Sequence, residues 1–369
     1  MRIERSILRI IVGLVLIIFV NGCQEEAKVD PPNPHLHTFY YNWYGNPETD
    51  DKYYHWAHDI LPHWSDTTWD NAGSLPGGDD IGANFYPSQG CYSSNDTNLV
   101  RTHMKMIRDA GIGVAVITWW GKDSYEDRSI PIYLEEAEKA GIQVAFHLEP
   151  FYSTVEEFRN QLEYIVKKYG NHPSLFRVDG KPFHYVYDSY KVDAEDWARL
   201  LSESGNLSIR NTELDGTFIG LWVEENEHAF FLNAGFDGFY TYFASDGFVY
   251  GSTITNWKTM SHWAKENDLI FIPCAGPGYL DTRIRPWNDT NTKPRNGGEY
   301  YKFMFNAAVE SQPDFIGITS FNEWHEGTQI EPSISKSIEG YSYEDFGDLP
   351  SDYYLKMTKR FSDRFQPSE

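Results

Sequence analysis

Cysteine is scarce, with three in 369 residues, and one of these, Cys23, closes an N-terminal leader. Cys91 and Cys274 lie too far apart in sequence to suggest a disulfide framework or a metal motif, so both are read as free thiols. Basic charge is also short: 31 Lys and Arg against 54 Asp and Glu give a net charge of −23. The acidic surplus is spread along the chain and argues against nucleic acid and anionic lipid as partners. A Gly-rich phosphate loop is missing after the first candidate strand, which counts against a nucleotide-binding sheet. Neither a Gly-x-Ser-x-Gly elbow nor a cysteine nucleophile with a nearby base is present. His325-Glu326-Gly327-Thr328-Gln329 is not a zinc-protease motif, because Gln329 stands where the second histidine belongs. Neither metal nor cofactor is expected, with the histidines of one insertion (His55, His58, His63) left as an open alternative. Internal repeats are absent as well.

Aromatics are abundant: 12 Trp, 25 Tyr and 23 Phe make 16% of the chain. That is more than a core requires, and aromatic rims are what sugar-binding clefts use, since the apolar face of a pyranose stacks on them. For any single residue, packing remains the plainer explanation.

The leader has a basic start (Arg2, Arg5, Arg9) and an apolar run, Ile10 to Val20, of eleven residues. That is too short to span a bilayer and the right length for a secretory signal. Val20-Asn21-Gly22-Cys23 resembles a relaxed bacterial lipobox, so residues 1–22 are expected to be a signal peptide and Cys23 a lipidated first residue. An ordinary signal peptide with a chance cysteine is the alternative. Residues 23–35, with Pro31, Pro32 and Pro34, then form a tether, and 36–369 the catalytic domain. The expected location is the cell envelope, with the protein lipid-anchored to an outer membrane and facing either the surface or the periplasm.

Within 36–369, apolar runs of strand length recur eight times: Leu36 to Tyr44, Val114 to Gly121, Val144 to Pro150, Pro182 to Asp188, Phe218 to Glu224, Gly238 to Ala244, Ile270 to Ala275 and Phe315 to Asn322. None alternates cleanly with polar residues, which suits strands buried on both faces of a parallel sheet. Helical patterns lie between them. Asp96 caps one that Gly111 stops, and Thr154 with Glu157 forms a capping box for another that runs to Gly170. Ile132 to Ala140, Trp257 to Glu266 and a C-terminal stretch from Tyr343 to Phe365 complete the list. Eight strands alternating with helices predict an α/β fold, a (β/α)8 TIM barrel, with a doubly wound open sheet as the rival. A long insertion after the first strand, Asn46 to Asn95, carries Tyr53, Tyr54, His55, Trp56, His58 and Trp64 and is expected to fold over the barrel mouth.

Barrel active sites lie at the C-terminal strand ends. Those ends offer Tyr41, Trp43 and Tyr44; Trp119 and Trp120; His147 and Glu149; Tyr187 and Asp188; Trp222 and Glu224; Tyr240 and Tyr242; a Gly276-Pro277-Gly278-Tyr279 turn; and Asn322-Glu323-Trp324-His325-Glu326. Carboxylates ringed by aromatics point to glycoside hydrolysis. Inverting enzymes hold their two carboxylates roughly 6.5–9.5 Å apart and ordinary retaining enzymes about 5–5.5 Å apart, usually from different strands. Glu323 and Glu326 come from one turn, an unusual source for a nucleophile and acid.

Phe39-Tyr40-Tyr41-Asn42-Trp43-Tyr44-Gly45-Asn46-Pro47, Tyr54-His55-Trp56-Ala57-His58, His147-Leu148-Glu149-Pro150 and Glu323-Trp324-His325-Glu326-Gly327-Thr328-Gln329-Ile330-Glu331-Pro332 closely resemble glycoside hydrolase family 99, the endo-α-mannosidases and endo-α-mannanases. The likeness runs from about residue 36 to the C-terminus. It implies a retaining enzyme without an enzymatic nucleophile. By position, Glu323 would be the base that deprotonates the mannose 2-hydroxyl, whose oxygen attacks C1 to give a 1,2-anhydro sugar. Glu326 would be the acid that protonates the leaving oxygen, and then the base for the water that opens the epoxide. A tryptophan of the second strand end is expected to shape the −2 subsite; Trp119 and Trp120 both qualify and Trp120 is favoured. Tyr41, Trp43, His55, His147, Glu149, Tyr187, Trp222, Tyr242 and Asn322 are the further binding candidates. The expected substrate is an α-mannan or mannose-rich oligosaccharide cut at internal α-1,2 linkages, and the expected state a monomer touching the membrane only through its lipid. A double-displacement glycosidase using Glu149 and Glu323, and a non-catalytic glycan-binding lipoprotein, are the alternatives.

Overall fold

A computed structural model describes residues 31–63, 65, 73–150 and 152–367. The signal peptide, Cys23 and Trp64 lie outside the described residues. Eight barrel strands follow in chain order: β1 (Asn33–Tyr40), β2 (Ile112–Trp119), β3 (Gln143–Leu148), β4 (Lys181–Val186), β5 (Thr217–Leu221), β6 (Gly238–Tyr240), β7 in two pieces (Ile270–Ile272 and Cys274–Ala275) and β8 (Ile316–Ile318). Each pairs in parallel with its sequence neighbours, and β1 pairs with both β2 and β8. The first piece of β7 pairs with β6 and the second with β8, which closes the barrel. The open-sheet alternative is thereby ruled out. Pro273 splits β7 because it has no N–H for the ladder. Its carbonyl still accepts from Gly317 N at 3.0 Å, and Cys274 N donates to Thr241 Oγ1 at 2.9 Å.

The absence of polar alternation has a plain cause. Val114 and Val116 point into the barrel with Phe39, Ala145, Tyr185, Ile219, Leu221 and Tyr240. Ala115 and Ile117, between them, pack outward with Leu36, Tyr40, Phe146 and Val186 against the helices. Both faces are apolar, so period two survives only as a choice between two cores.

The outer layer comprises α1 (Thr97–Asp109), α2 (Tyr125–Ala140), α3 (Val155–Tyr169), α4 (Ala194–Leu201), α5 (His228–Ala234), α6 (Trp257–Glu266), α7 (Glu299–Glu310) and α8 (Tyr353–Ser362). The Asp96 and Thr154 caps form as expected, accepting from Asn98 N at 2.8 Å and Glu157 N at 3.2 Å. α2 starts earlier than expected, capped by Ser124, and carries Pro131 inside it. Proline leaves the carbonyl four residues back without its helical donor, and Tyr169 Oη supplies one, at 3.1 Å from Asp127 O. α8 starts later than expected. Tyr341–Ser342 is instead held in a hairpin with Ser337–Ile338, and Tyr343 Oη donates to Asp79 O at 2.9 Å. The tether ends sooner than 35: Asn33 already lies in β1, its N–H bonded to Gly111 O and its amide to Phe365 O, both at 2.9 Å. Among the described residues no helix is long and apolar enough to cross a membrane.

The insertion does pack onto the barrel mouth. Buried Trp56 stacks on Tyr44 with ring centroids 4.1 Å apart, and its indole donates to Tyr92 O at 2.8 Å. His55 O receives His325 Nε2 at 2.7 Å, joining the insertion to the turn after β8.

Candidate active site

After Ile318 the chain leaves the barrel in a tight turn. Ser320 Oγ accepts from Glu323 N at 2.7 Å, and Glu323 O accepts from Thr328 N at 3.3 Å. Gly327 takes φ 61° there, and a Cβ on it would stand 2.6 Å from Leu280 O, so both backbone conformation and space call for glycine. Trp324 points beneath the turn, fully buried, its indole 2.9 Å from Glu331 Oε2. Glu331 also accepts from Tyr92 Oη at 2.7 Å, with His103 Nε2 3.2 Å from its other oxygen. Trp324 is thus an anchor that leaves its neighbours at 323 and 326 free to face the mouth.

Glu323 is buried, and Oε1 accepts from His325 N at 3.2 Å. Glu326 keeps about 20% of its side chain exposed and lies 3.5 Å from Arg285 Nη1. Burial is the main force on both and pushes each up to about 8; Arg285 pulls both part of the way back, while Glu149 adds to Glu323, and Glu323 and Asp281 add to Glu326. A carboxyl pair displaced this far upward retains a proton near neutrality, which ordinary glutamates do not.

Several expected residues meet this pair. The Tyr41 and Tyr242 hydroxyls bond to each other, and burial, then Glu323 and Glu149, raise the Tyr41 phenol well above its usual value. His147 lies 2.8 Å from Tyr240 Oη and 2.9 Å from Glu149 Oε1, an oxygen that also accepts from Thr118 Oγ1 at 2.6 Å. Tyr187 meets His147 and Tyr242 edge-on, each with centroids 5.3 Å apart. Trp43 is sandwiched between Tyr41 and His55, each at 4.4 Å. His55, His58 and His325 cluster beside it, pushed down to about 3, 4 and 4 chiefly by burial, so they are neutral rings.

Three expectations are corrected. Trp119 is fully buried in the outward core, its indole bonded to Asp127 Oδ1 at 3.0 Å. Trp222 likewise turns outward, packing on Phe231, Phe239 and Trp263 with its indole on Glu224 O at 2.6 Å. Asn322 is fully buried and spends its amide on the Tyr41 backbone, accepting from N at 2.7 Å and donating to O at 2.8 Å. It ties β1 to the turn instead of facing a ligand. Trp120, 39% exposed, is the tryptophan of this strand end that a ligand can reach. Trp120→Ala is expected to raise KM for oligosaccharides about tenfold, in line with about 1–3 kcal/mol of stacking per ring, without lowering Tm. Trp119→Ala is expected to cost about 3–5 kcal/mol of stability, read by thermal melts. Equal melting of the two variants would contradict the assignment.

Arg285 and Asp281 were not singled out in the sequence. Asp281 is fully buried and accepts from Arg285 Nη1 at 3.1 Å, Tyr279 Oη at 2.9 Å and Asn288 Nδ2 at 2.9 Å, which holds the guanidinium toward Glu326. Their Asp-x-x-x-Arg spacing is a faint signal in an aperiodic loop.

A closed (β/α)8 barrel with an upshifted carboxyl pair in an aromatic mouth defines a glycoside hydrolase. Glycosyl hydrolase family 99 matches residues 31–367, and the chain belongs to that family. The glycoprotein endo-alpha-1,2-mannosidase of Mus musculus is 44% identical over 352 residues, covering 92% of this chain and 76% of the mouse protein. The Xenopus laevis protein of that name is 45% identical over 358 residues, covering 92% and 79%. A solved structure, the GH99 endo-alpha-mannosidase from Bacteroides thetaiotaomicron, superposes with TM-score 0.86 at 48% identity, covering 89% of this chain and 96% of that one.

Proposed function

We propose that the protein is a retaining, endo-acting α-mannosidase. It cuts internal α-1,2 linkages of α-mannan or mannose-rich glycans by way of a 1,2-anhydro sugar. The observation that carries this reading is the Glu323–Glu326 pair: two carboxyls on one turn, both pushed up to about 8. Such a pair keeps protons that ordinary glutamates release, and the loss of one proton leaves its reactive form with one carboxylate and one acid. O2-assisted cleavage needs that division, a carboxylate for the 2-hydroxyl and an acid for the leaving oxygen. The roles follow position in the family. Glu323, deep beside Tyr41 and Glu149, serves the glycone; Glu326, partly exposed beside Arg285, serves the departing side. In an α-mannoside O2 and the leaving group can be trans-diaxial, which the attack requires and an α-glucoside cannot offer. Tyr41, Trp43, His55, Trp120, His147, Glu149, Tyr187 and Tyr242 line the glycone side. Asn322 positions the turn.

Substrates methylated at the reacting O2 test the reading: no turnover is expected, and turnover with retained configuration would restore the double-displacement alternative. Outcompeting yeast α-mannan with a glucosylated mannan oligosaccharide then sorts the preferred polymer.

The cell-envelope location belongs to the same proposal, with Cys23 lipidated and the catalytic domain a monomer held to the membrane by that lipid alone. Cys23→Ser is expected to move the protein from the membrane fraction to the soluble one; unchanged partitioning would remove the lipid anchor.

A further inference from the structure

Arg295, in the loop between β7 and α7, is among the buried residues, with only 9% of its surface exposed. Its Nη2 donates to Gly327 O at 3.0 Å and to Gln329 O at 2.8 Å, two carbonyls of the turn that begins at Glu326. Its Nε and Nη1 meet neither a carboxylate nor a carbonyl, and the Tyr354 hydroxyl is the polar group beside them. The charge is faced by rings instead: Phe85 and Tyr354 at 4.6 Å and Phe346 at 5.1 Å from Cζ. These come from the insertion, α8 and the segment before α8. A buried guanidinium without a carboxylate partner is costly to desolvate, and a cage of three rings would accept an apolar side chain of similar length. Stability alone therefore does not account for an arginine here. Its two carbonyl bonds do: with Leu280 N donating to Glu326 O at 2.8 Å, they fix the backbone from the acid onward.

We propose that Arg295 is a positioning residue that holds the Glu326 carboxyl at the leaving oxygen by clamping the carbonyls of Gly327 and Gln329. The proposal rests on Glu326 being the general acid. Displacing a catalytic group by about 1 Å lowers the rate about 10²-fold, and the loss falls on the step that needs the proton.

The test is Arg295→Met, with kcat/KM measured on mannan and on a manno-oligosyl fluoride, whose leaving group needs little protonation. On mannan a fall of about 10²-fold is expected in kcat with KM nearly kept. On the fluoride kcat/KM should hold, whatever Tm the two carbonyls left without a donor give the variant. Equal loss on both substrates, or no loss on either, would overturn the clamp. Glu326→Gln is run beside it. If Glu326→Gln separates the two substrates and Arg295→Met does not, the clamp alone is wrong; if neither separates them, the acid assignment fails and the clamp with it. Should Arg295→Met fail to fold, Arg295→Lys carries the test. Its ammonium keeps the charge in the cage but sits on a shorter stem that stops short of the Nη2 position, so the same divergence is expected at smaller size.

Discussion

Glu326→Gln and Glu323→Gln are each expected to lower kcat/KM on mannan by about 10²–10⁴-fold, the usual scale of one acid or base, and to part company on an activated substrate. Fluoride departs with little protonation, so Glu326→Gln should keep most of its kcat/KM on a manno-oligosyl fluoride. The later step still needs Glu326 as the base for water. That variant is therefore expected to release fluoride in a burst and then turn over slowly, with azide restoring the rate. Glu323→Gln should lose as much on the fluoride as on mannan, because O2 must give up its proton whatever leaves C1. A Glu323→Gln enzyme that kept its fluoride rate would sink the base assignment. The geometry makes the distinction sharp: the two side chains share a turn but not surroundings, Glu323 under the His325 N–H and Glu326 beside Arg285.

The barrel was legible because a strand buried on both faces reads as an unbroken apolar run, and each of the eight runs overlaps a strand. Which way each residue points was not legible. Trp119 and Trp120 are chemically alike and adjacent, and a strand sends neighbours to opposite faces; register, set by pairing with β1 and β3, decides that Trp119 meets Asp127. Trp222 was misread for the same reason. Asn322 looked like a ligand contact because an amide at a strand end serves backbone and sugar equally well. Pro131 hid the start of α2, since its missing N–H is made good by a tyrosine from another helix, a long-range event no local pattern carries. The glutamate pair stood out because carboxylates at the end of an apolar strand have no packing explanation. Arg285 and Arg295 did not, because their partners, Glu326 and the Gly327 and Gln329 carbonyls, lie more than thirty positions on in an aperiodic stretch.

Keeping two carboxyls in a dry mouth costs stability, and the sign of that cost is testable. Glu323 is raised from 4.5 to about 8 by burial. Between those values the native state holds a proton that the unfolded chain has released, so unfolding free energy falls as pH rises through this window. One proton corresponds to about 1.4 kcal/mol per pH unit. Glu323→Gln removes that titration while its amide oxygen can still accept from His325 N. The stability gap in favour of Glu323→Gln should therefore widen by about 2–3 kcal/mol between pH 5.5 and pH 7.5, read as unfolding free energies or as a Tm difference that grows with pH. Below pH 4.5 both forms of the residue are neutral, and the pH dependence of the gap should vanish. A gap that stays constant from pH 5 to pH 8, or narrows, would mean that Glu323 is ionised throughout and that burial does not hold its proton. A variant that gains stability is thus one expected to lose the reaction, because the group that burial penalises is the one the chemistry uses.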